Sequence, residues 1–248
     1  MRLLEGCNAL ITGTNRGIGK ATLVRFAKNG ANIYAHARAY TREFVEFCEE
    51  LENEYKVKIY PVFFDILDEE TIKKELLNIK NNGGLDILVN NVGVVKNVSL
   101  FTMMQVEKMK ETFDVNFFAQ MSLTQKVSRM MMAKKKGSII NLSSCAGIDG
   151  DTGMFDYVSS KAAMIGATKR LAIELGNYNI RVNAVAPGLT DTDMGNQMSE
   201  ELTKETLSRC IMKRKGKPEE VADAIVFFAS NMSSFITGQV IRVDGGIV

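Results

Sequence analysis

Short apolar runs alternate with longer amphipathic segments along the whole chain, and that alternation restricts the fold more than any single residue does. Runs at 7–12, 32–37, 58–63, 85–89, 138–142, 181–186 and 240–243 have the length of strands, and Ile87-Leu88-Val89 suits a sheet buried on both faces. Between them, 17–29, 41–55, 68–81, 106–134, 157–175, 199–210 and 218–229 carry helical periodicity. Strands alternating with helices of this length build βαβ units. The expected architecture is α/β: a single-domain, Rossmann-type, doubly wound parallel sheet of about seven strands with helices on both faces. No composition break, repeat or linker divides residues 1–248, so one domain is expected. The longest irregular stretch, 188–199, leads into a short helix and is expected to form a lid over a site.

The first strand ends in Leu10-Ile11-Thr12-Gly13, and the first helix opens on Gly17, Ile18 and Gly19. Glycines there permit a tight turn and close backbone approach. The loop through Thr14, Asn15 and Arg16 can then deliver a helix N-terminus to a pyrophosphate. The spacing is Gly-x-x-x-Gly-x-Gly, and its weight comes from the strand before it and the helix after it. An acid at the end of the second strand would hydrogen-bond an adenosine ribose and repel a 2′-phosphate. This strand ends in Ala37-Arg38, no carboxylate follows until Glu43, and Arg16 adds a second guanidinium. NADP(H) is the expected cofactor.

Tyr157 and Lys161 lie four residues apart on one helix face, and Ser144 lies thirteen residues before the tyrosine. A free phenol titrates at about 10. A neighbouring cation is expected to lower that value towards the range of acid–base catalysis. Such a pair is common on solvated helices; the serine and the glycine loop together give it meaning. Cys145, beside the serine, has no basic neighbour in sequence and reads as packing.

Other chemistries find little support. The single histidine, His36, falls inside a strand, which excludes a multi-histidine metal site; no metal is expected. No G-x-S-x-G elbow accompanies it, so a Ser-His-Asp hydrolase is not expected and His36 reads as an ordinary strand residue. Cys7, Cys48, Cys145 and Cys210 form no C-x-x-C and read as thiols of a reducing compartment. A net charge of +2 argues against a nucleic-acid partner. No apolar run approaches the roughly 20 residues that span a bilayer, and residues 1–6 form no signal peptide. A cytoplasmic protein without a membrane partner is expected.

These motifs, in this order, resemble the short-chain dehydrogenase/reductase family, and within it the 3-oxoacyl-[acyl-carrier-protein] reductase group. The resemblance runs from Thr12 to Asp244-Gly245-Gly246. It rests on the glycine loop, Asp65, Asn90-Asn91-Val92-Gly93, Asn116, Ser144 with Tyr157 and Lys161, and Pro187-Gly188. It implies that Asp65 and Ile66 edge the adenine, that Asn90 and Gly93 border the cofactor, and that Lys161 binds its ribose. Pro187, Gly188 and Thr192 would line the nicotinamide and phosphates, with Thr190 near the carboxamide. The catalytic set it implies is Asn116, Ser144, Tyr157 and Lys161, with Asn116 holding a water in a proton relay. Val92 replaces the usual alanine and Thr190 the usual valine or isoleucine.

The implied activity is NADPH-dependent reduction of a 3-oxoacyl thioester, linked to acyl carrier protein or coenzyme A, in fatty acid biosynthesis. The alternatives are a sibling enzyme acting on another small carbonyl or alcohol, such as a sugar or secondary metabolite, and a non-catalytic NADP-sensing protein. Lys134-Lys135-Lys136 reads either as a carrier-protein docking patch or as ordinary helix capping. The second basic position of carrier-protein reductases is missing from Gly176-Asn177-Tyr178-Asn179. Segments 106–134 and 157–175 are apolar around more than one face, with Phe117, Phe118, Met121, Leu123, Met130, Met131 and Met132 in the first. A symmetric partner is expected to cover them, as a homotetramer or homodimer.

Overall fold

The computed structural model describes residues 2–96 and 98–247. Seven strands form: β1 (Asn8–Ile11), β2 (Asn32–Ala37), β3 (Ile59–Phe63), β4 (Ile87–Asn90), β5 (Gly137–Leu142), β6 (Ile180–Pro187) and β7 (Val240–Val243). They pair in one sheet ordered β3-β2-β1-β4-β5-β6-β7, every pairing parallel. The chain therefore builds outward from β1 to β3, then returns to lay β4 on the other side of β1. That switch opens a crevice outside the carboxyl ends of β1 and β4, where sheets of this kind bind ligands.

Helices α1 (Gly17–Lys28), α2 (Arg42–Tyr55) and α9 (Pro218–Ala229) cover one face. On that face Ile11, Ile33, Val89 and Ile140 meet Leu23, Phe26, Phe44, Leu51, Ile225 and Phe228. Helices α3 (Glu69–Asn81), α5 (Ala119–Lys134) and α7 (Phe155–Leu175) cover the other, where Leu10, Leu88 and Ile139 meet Ile72, Leu76, Leu123, Val127 and Leu175. Burial on both faces is why the strands read as continuous apolar runs. Each fully buried Leu, Ile or Phe contributes about 1.5–3 kcal/mol. Thr41, Asp68 and Ser199 cap α2, α3 and α8 (Glu200–Arg209) by accepting backbone N–H bonds, so those helices start where capping chemistry places them. Among the described residues, no helix is long and apolar enough to cross a membrane.

One expected element differs. Segment 106–134 is not a continuous α-helix: α4 (Val106–Phe113) gives way to a π-helical turn, Asp114–Phe118, before α5 begins. Gln120 Nε2 donates to the carbonyls of Asn116 (2.9 Å) and Val115 (3.4 Å), supplying a side-chain donor to the wide turn. A short helix, α6 (Ala146–Asp149), was not anticipated, and α7 starts at Phe155, two residues before Tyr157.

The core contains a polar seam. Asn90 Nδ2 donates to Thr124 Oγ1 and to Asn141 Oδ1, both at 2.8 Å, and Asn141 Nδ2 donates to Thr168 Oγ1 at 2.8 Å. All four residues are buried, so β4, β5, α5 and α7 are joined at one level. Leaving a buried polar group unpaired costs about 1–3 kcal/mol. Asn141→Leu is expected to destabilise the fold by about 2 kcal/mol in urea unfolding, and an unchanged midpoint would mean the seam is dispensable.

Candidate active site

The glycine loop leaves the carboxyl end of β1 through Gly13, whose φ is +72°, and enters α1 through Gly17, at +54°. A Cβ on Gly19 would sit 1.9 Å from the Gly13 carbonyl oxygen, so only glycine lets α1 pack end-on beneath the turn. No side chain caps α1, which leaves its first N–H groups facing the crevice. This cradle fits an anionic pyrophosphate. Thr14 is buried, donating its hydroxyl to His36 O at 3.0 Å, while Asn15 and Arg16 are exposed. Ile18 packs against the core.

The two arginines differ in their surroundings. Arg38 is exposed at the end of β2, with no ion-pair partner among the described residues. Arg16 instead lies 3.5 Å from Asp193, in the irregular stretch expected to form a lid. That stretch reaches the glycine loop, since a Cβ on Gly17 would come within 3.4 Å of Thr192. Asp65 is exposed and its Oδ1 accepts the Leu67 N–H at 2.9 Å; Ile66 beside it is buried.

At the next carboxyl ends, β5 and β6 hold the serine. Ser143 N–H donates to Val185 O (2.8 Å) and Cys145 N–H to Pro187 O (2.9 Å), which fixes Ser144 between them. Ser144 Oγ accepts the Ala146 N–H at 3.2 Å. Tyr157 sits in the first turn of α7, anchored through its own N–H to Asp156 Oδ1 (2.8 Å); Asp156 Oδ2 in turn accepts the Thr112 hydroxyl at 2.6 Å. One turn on, Lys161 is buried and donates from Nζ to Leu142 O at 2.8 Å. Its Nζ lies 5.9 Å from the centre of the Tyr157 ring. Gly147 lets α6 pack directly on the α7 backbone, because a Cβ there would stand 2.8 Å from the Lys161 carbonyl carbon.

Asn116 occupies the π-turn, fully buried. Its Nδ2 donates to Val94 O (2.9 Å) and Ser160 Oγ (3.1 Å), and its Oδ1 accepts Val94 N–H (2.8 Å). Both donors are spent; Oδ1 keeps one lone pair. A Cβ on Gly93 would lie 3.2 Å from Lys161 Nζ and 3.7 Å from that oxygen, so both polar atoms face the space over Gly93. Asn90 belongs to the core seam, and its Oδ1 is buried without a partner among the described residues. Gly188 ends β6 by donating to Val243 O at 3.0 Å, Thr190 Oγ1 donates to Gly188 O at 3.1 Å, and Thr192 Oγ1 accepts Gly195 N–H at 3.1 Å.

The electrostatics depart from expectation. Burial pushes the Tyr157 phenol up, while its hydrogen bond with Ser144 pulls the other way. The expected lowering by Lys161 is not what governs this site: the ammonium is itself desolvated, and its value falls from 10.5 to about 8. Lys134-Lys135-Lys136 also departs. It lies at the amino end of β5, the opposite end of the sheet from Ser144. Lys134 Nζ donates to Gly83 O (3.0 Å) and Asp86 Oδ1 (3.1 Å), and Lys136 lies 3.9 Å from the same carboxylate. The patch is therefore not at the entrance of its own chain's site.

Several supporting residues have partners that the sequence did not reveal. Asn91 Nδ2 donates to the carbonyls of Thr12 (2.8 Å) and Gly13 (3.1 Å). Ser143 Oγ donates to Lys161 O (2.8 Å), and His36 receives the Gly13 N–H (3.0 Å). The available signal was one polar residue inside an apolar strand, which Asn141 and His36 share.

The family model described as enoyl-(acyl carrier protein) reductase matches residues 13–248. The 3-oxoacyl-[acyl-carrier-protein] reductase of Thermotoga maritima is 41% identical over 248 residues, covering 99% of both chains. A short-chain type dehydrogenase/reductase from Mycobacterium ulcerans superposes with a TM-score of 0.92 at 29% identity, over 98% of this chain and 90% of that one. A 3-oxoacyl-[acyl-carrier protein] reductase with bound NAD from Brucella melitensis gives 0.88 at 32% identity, over 99% and 94%.

The buried ammonium has a measurable cost. Lys161 holds its proton less tightly folded than unfolded, so the penalty is present below about pH 8 and fades as pH rises towards 10.5. Its full size is about 3 kcal/mol, part of which the bond to Leu142 O offsets. Lys161→Met is expected to stabilise the cofactor-free protein in urea at pH 7 by about 2 kcal/mol, the gain shrinking by pH 10. Destabilisation at both pH values would contradict this account.

Proposed function

The chain belongs to the short-chain dehydrogenase/reductase family, and we propose that it reduces the ketone of a 3-oxoacyl thioester to the 3-hydroxyacyl form with NADPH. The observation that carries this reading is the convergence of Ser144, Tyr157 and Lys161 beside an uncapped helix N-terminus at the sheet's switch point. Full-length similarity to 3-oxoacyl-[acyl-carrier-protein] reductases supports a ketone substrate on a carrier thioester, in fatty acid biosynthesis.

The cofactor is a nicotinamide dinucleotide, and when bound it supplies the hydride. The glycine loop and the first N–H groups of α1 would take its pyrophosphate, Asp65 and Ile66 its adenine edge, and Gly93 and Lys161 its ribose. Pro187, Gly188, Thr190 and Thr192 would border the nicotinamide half. For the 2′-phosphate of NADP(H), Arg38 is the stronger candidate, because Arg16 has a competing carboxylate in Asp193.

In this reading the ketone oxygen lies between Ser144 Oγ and the Tyr157 hydroxyl. Negative charge grows on that oxygen as the carbon is reduced; Ser144 donates a hydrogen bond to it and Tyr157 delivers the proton. A raised phenol value suits this direction, since it keeps the donor protonated at neutral pH. Lys161 then stabilises the phenolate left behind. Its value of about 8 leaves it charged at pH 7, so the reductive rate should fall as pH rises through that value. Asn116 Oδ1 and Lys161 Nζ, facing the same space over Gly93, can hold a water that returns a proton to Tyr157.

Phe101, Met103, Val106, Phe118 and Phe155 are exposed apolar side chains on α4, the segment before it, the π-turn and the start of α7. A homodimer or homotetramer covering them, working in the cytoplasm, completes the proposal; acyl carrier protein would present the substrate. Tyr157→Phe is expected to lower reduction of an acetoacetyl thioester at least about 10³-fold while NADPH still binds. Retained turnover would mean another acid serves. Arg38→Ala should raise the KM for NADPH about 10- to 100-fold, the loss of one charge-assisted hydrogen bond, and leave that for NADH unmoved. A wild-type preference for NADH would overturn the cofactor assignment.

A further inference from the structure

His36 is the chain's only histidine and is 2% exposed, yet no step proposed above uses it. Its Nδ1 accepts the Gly13 N–H at 3.0 Å, and its Nε2 lies 2.9 Å from Phe64 O. An amide N–H can only be met by a lone pair, so Nδ1 is unprotonated and Nε2 carries the proton it donates to Phe64. The ring stacks on Phe64 with centres 3.9 Å apart. The backbone carbonyl of His36 takes both the N–H and the hydroxyl of Thr14, at 2.8 and 3.0 Å. The same residue therefore pins the first two positions of the glycine loop.

The two ends of the ring reach different parts of the crevice. Gly13 belongs to the pyrophosphate turn, its other polar group held by Asn91 and its position limited by Gly19. Phe64 immediately precedes Asp65 and Ile66, the proposed adenine edge. A neutral imidazole can bridge these two backbones; an imidazolium cannot, because it would point an N–H at the Gly13 N–H. Asp65 is the charged side chain whose field reaches the ring, the glycine loop contributes uncharged Gly13 and Thr14, and Arg38, farther along the strand, is exposed. Burial outweighs the Phe64 carbonyl and Asp65, which both favour the charged ring, and holds its value down to about 4, so it is neutral at working pH.

We infer that His36 is a positioning residue for the dinucleotide, its neutral ring locking the pyrophosphate turn to the adenine edge before the cofactor arrives. The inference rests on the proposed use of the glycine loop for a nicotinamide dinucleotide. Because the ring bonds only the backbone of Gly13 and Phe64 and carries no charge to offer a 2′-phosphate, it should support NADPH and NADH equally, which separates it from Arg38.

With one histidine in the chain, isotope-labelled protein gives a single imidazole signal. That signal is expected to report the Nε2–H form without titrating between pH 8 and 5. His36→Leu should weaken binding of NADPH and NADH alike, about tenfold by direct titration, with kcat at saturating NADPH kept within about twofold. His36→Gln, which retains an acceptor and a donor, should recover most of the affinity and serves if the leucine variant folds poorly. An imidazole titrating near 6.5, or a leucine variant that binds both dinucleotides as wild type does, would overturn the inference. Wild-type protein that binds neither dinucleotide would overturn the functional reading beneath it.

Discussion

The contact between Lys161 Nζ and Leu142 O is the interaction on which the candidate site depends. It joins the end of β5 to the second turn of α7, and Ser143 Oγ closes the joint from the other side by donating to Lys161 O. Ser144 comes two residues after the end of that strand and Tyr157 lies one helical turn before that lysine. A charge placed there is costly to fold, and among the described residues no carboxylate forms an ion pair with it. The cost falls where the proposed chemistry needs a cation, the usual reason a fold retains such a group.

The binding half of the crevice is organised by backbone instead. Gly13 has both of its polar groups held by side chains, those of buried His36 and half-buried Asn91, and has Gly19 pressed against it. The turn is thereby fixed from beneath, and its outer surface is left to the uncapped amides of α1. Thr12 adds to this support by accepting from Asn91 N–H at 2.9 Å and Val92 N–H at 3.2 Å. The valine that replaces the usual alanine thus contributes its main chain to the same support, and its side chain packs on the core.

The strands, their order of appearance and most helix boundaries were legible because burial on both faces leaves an unmistakable apolar pattern, and because Thr41, Asp68 and Ser199 mark helix starts. Ser144, Tyr157, Lys161 and Asn116 could be named from spacing and resemblance. Their electrostatics could not, since spacing shows that Lys161 is near Tyr157 but not that both are desolvated. Lys134-Lys135-Lys136 misled for a related reason: sequence gives charge but not which end of the sheet carries it. His36 was passed over because a strand residue reveals its partners only once β1 and β3 are laid on either side of β2.

The π-turn at Asp114–Phe118 has a consequence for how this scaffold can change. Each helical residue rotates the chain by about 100°. A π-turn holds one residue more than the α-turn it replaces, so loss of one residue there would straighten the rod and leave α4 and α5 close to their present phase. The register inside the turn would shift, and the amide of Asn116 would leave Val94. A single-codon deletion would therefore be felt at the buried amide and hardly at all along the flanking helices, which makes the turn a local device for placing Asn116.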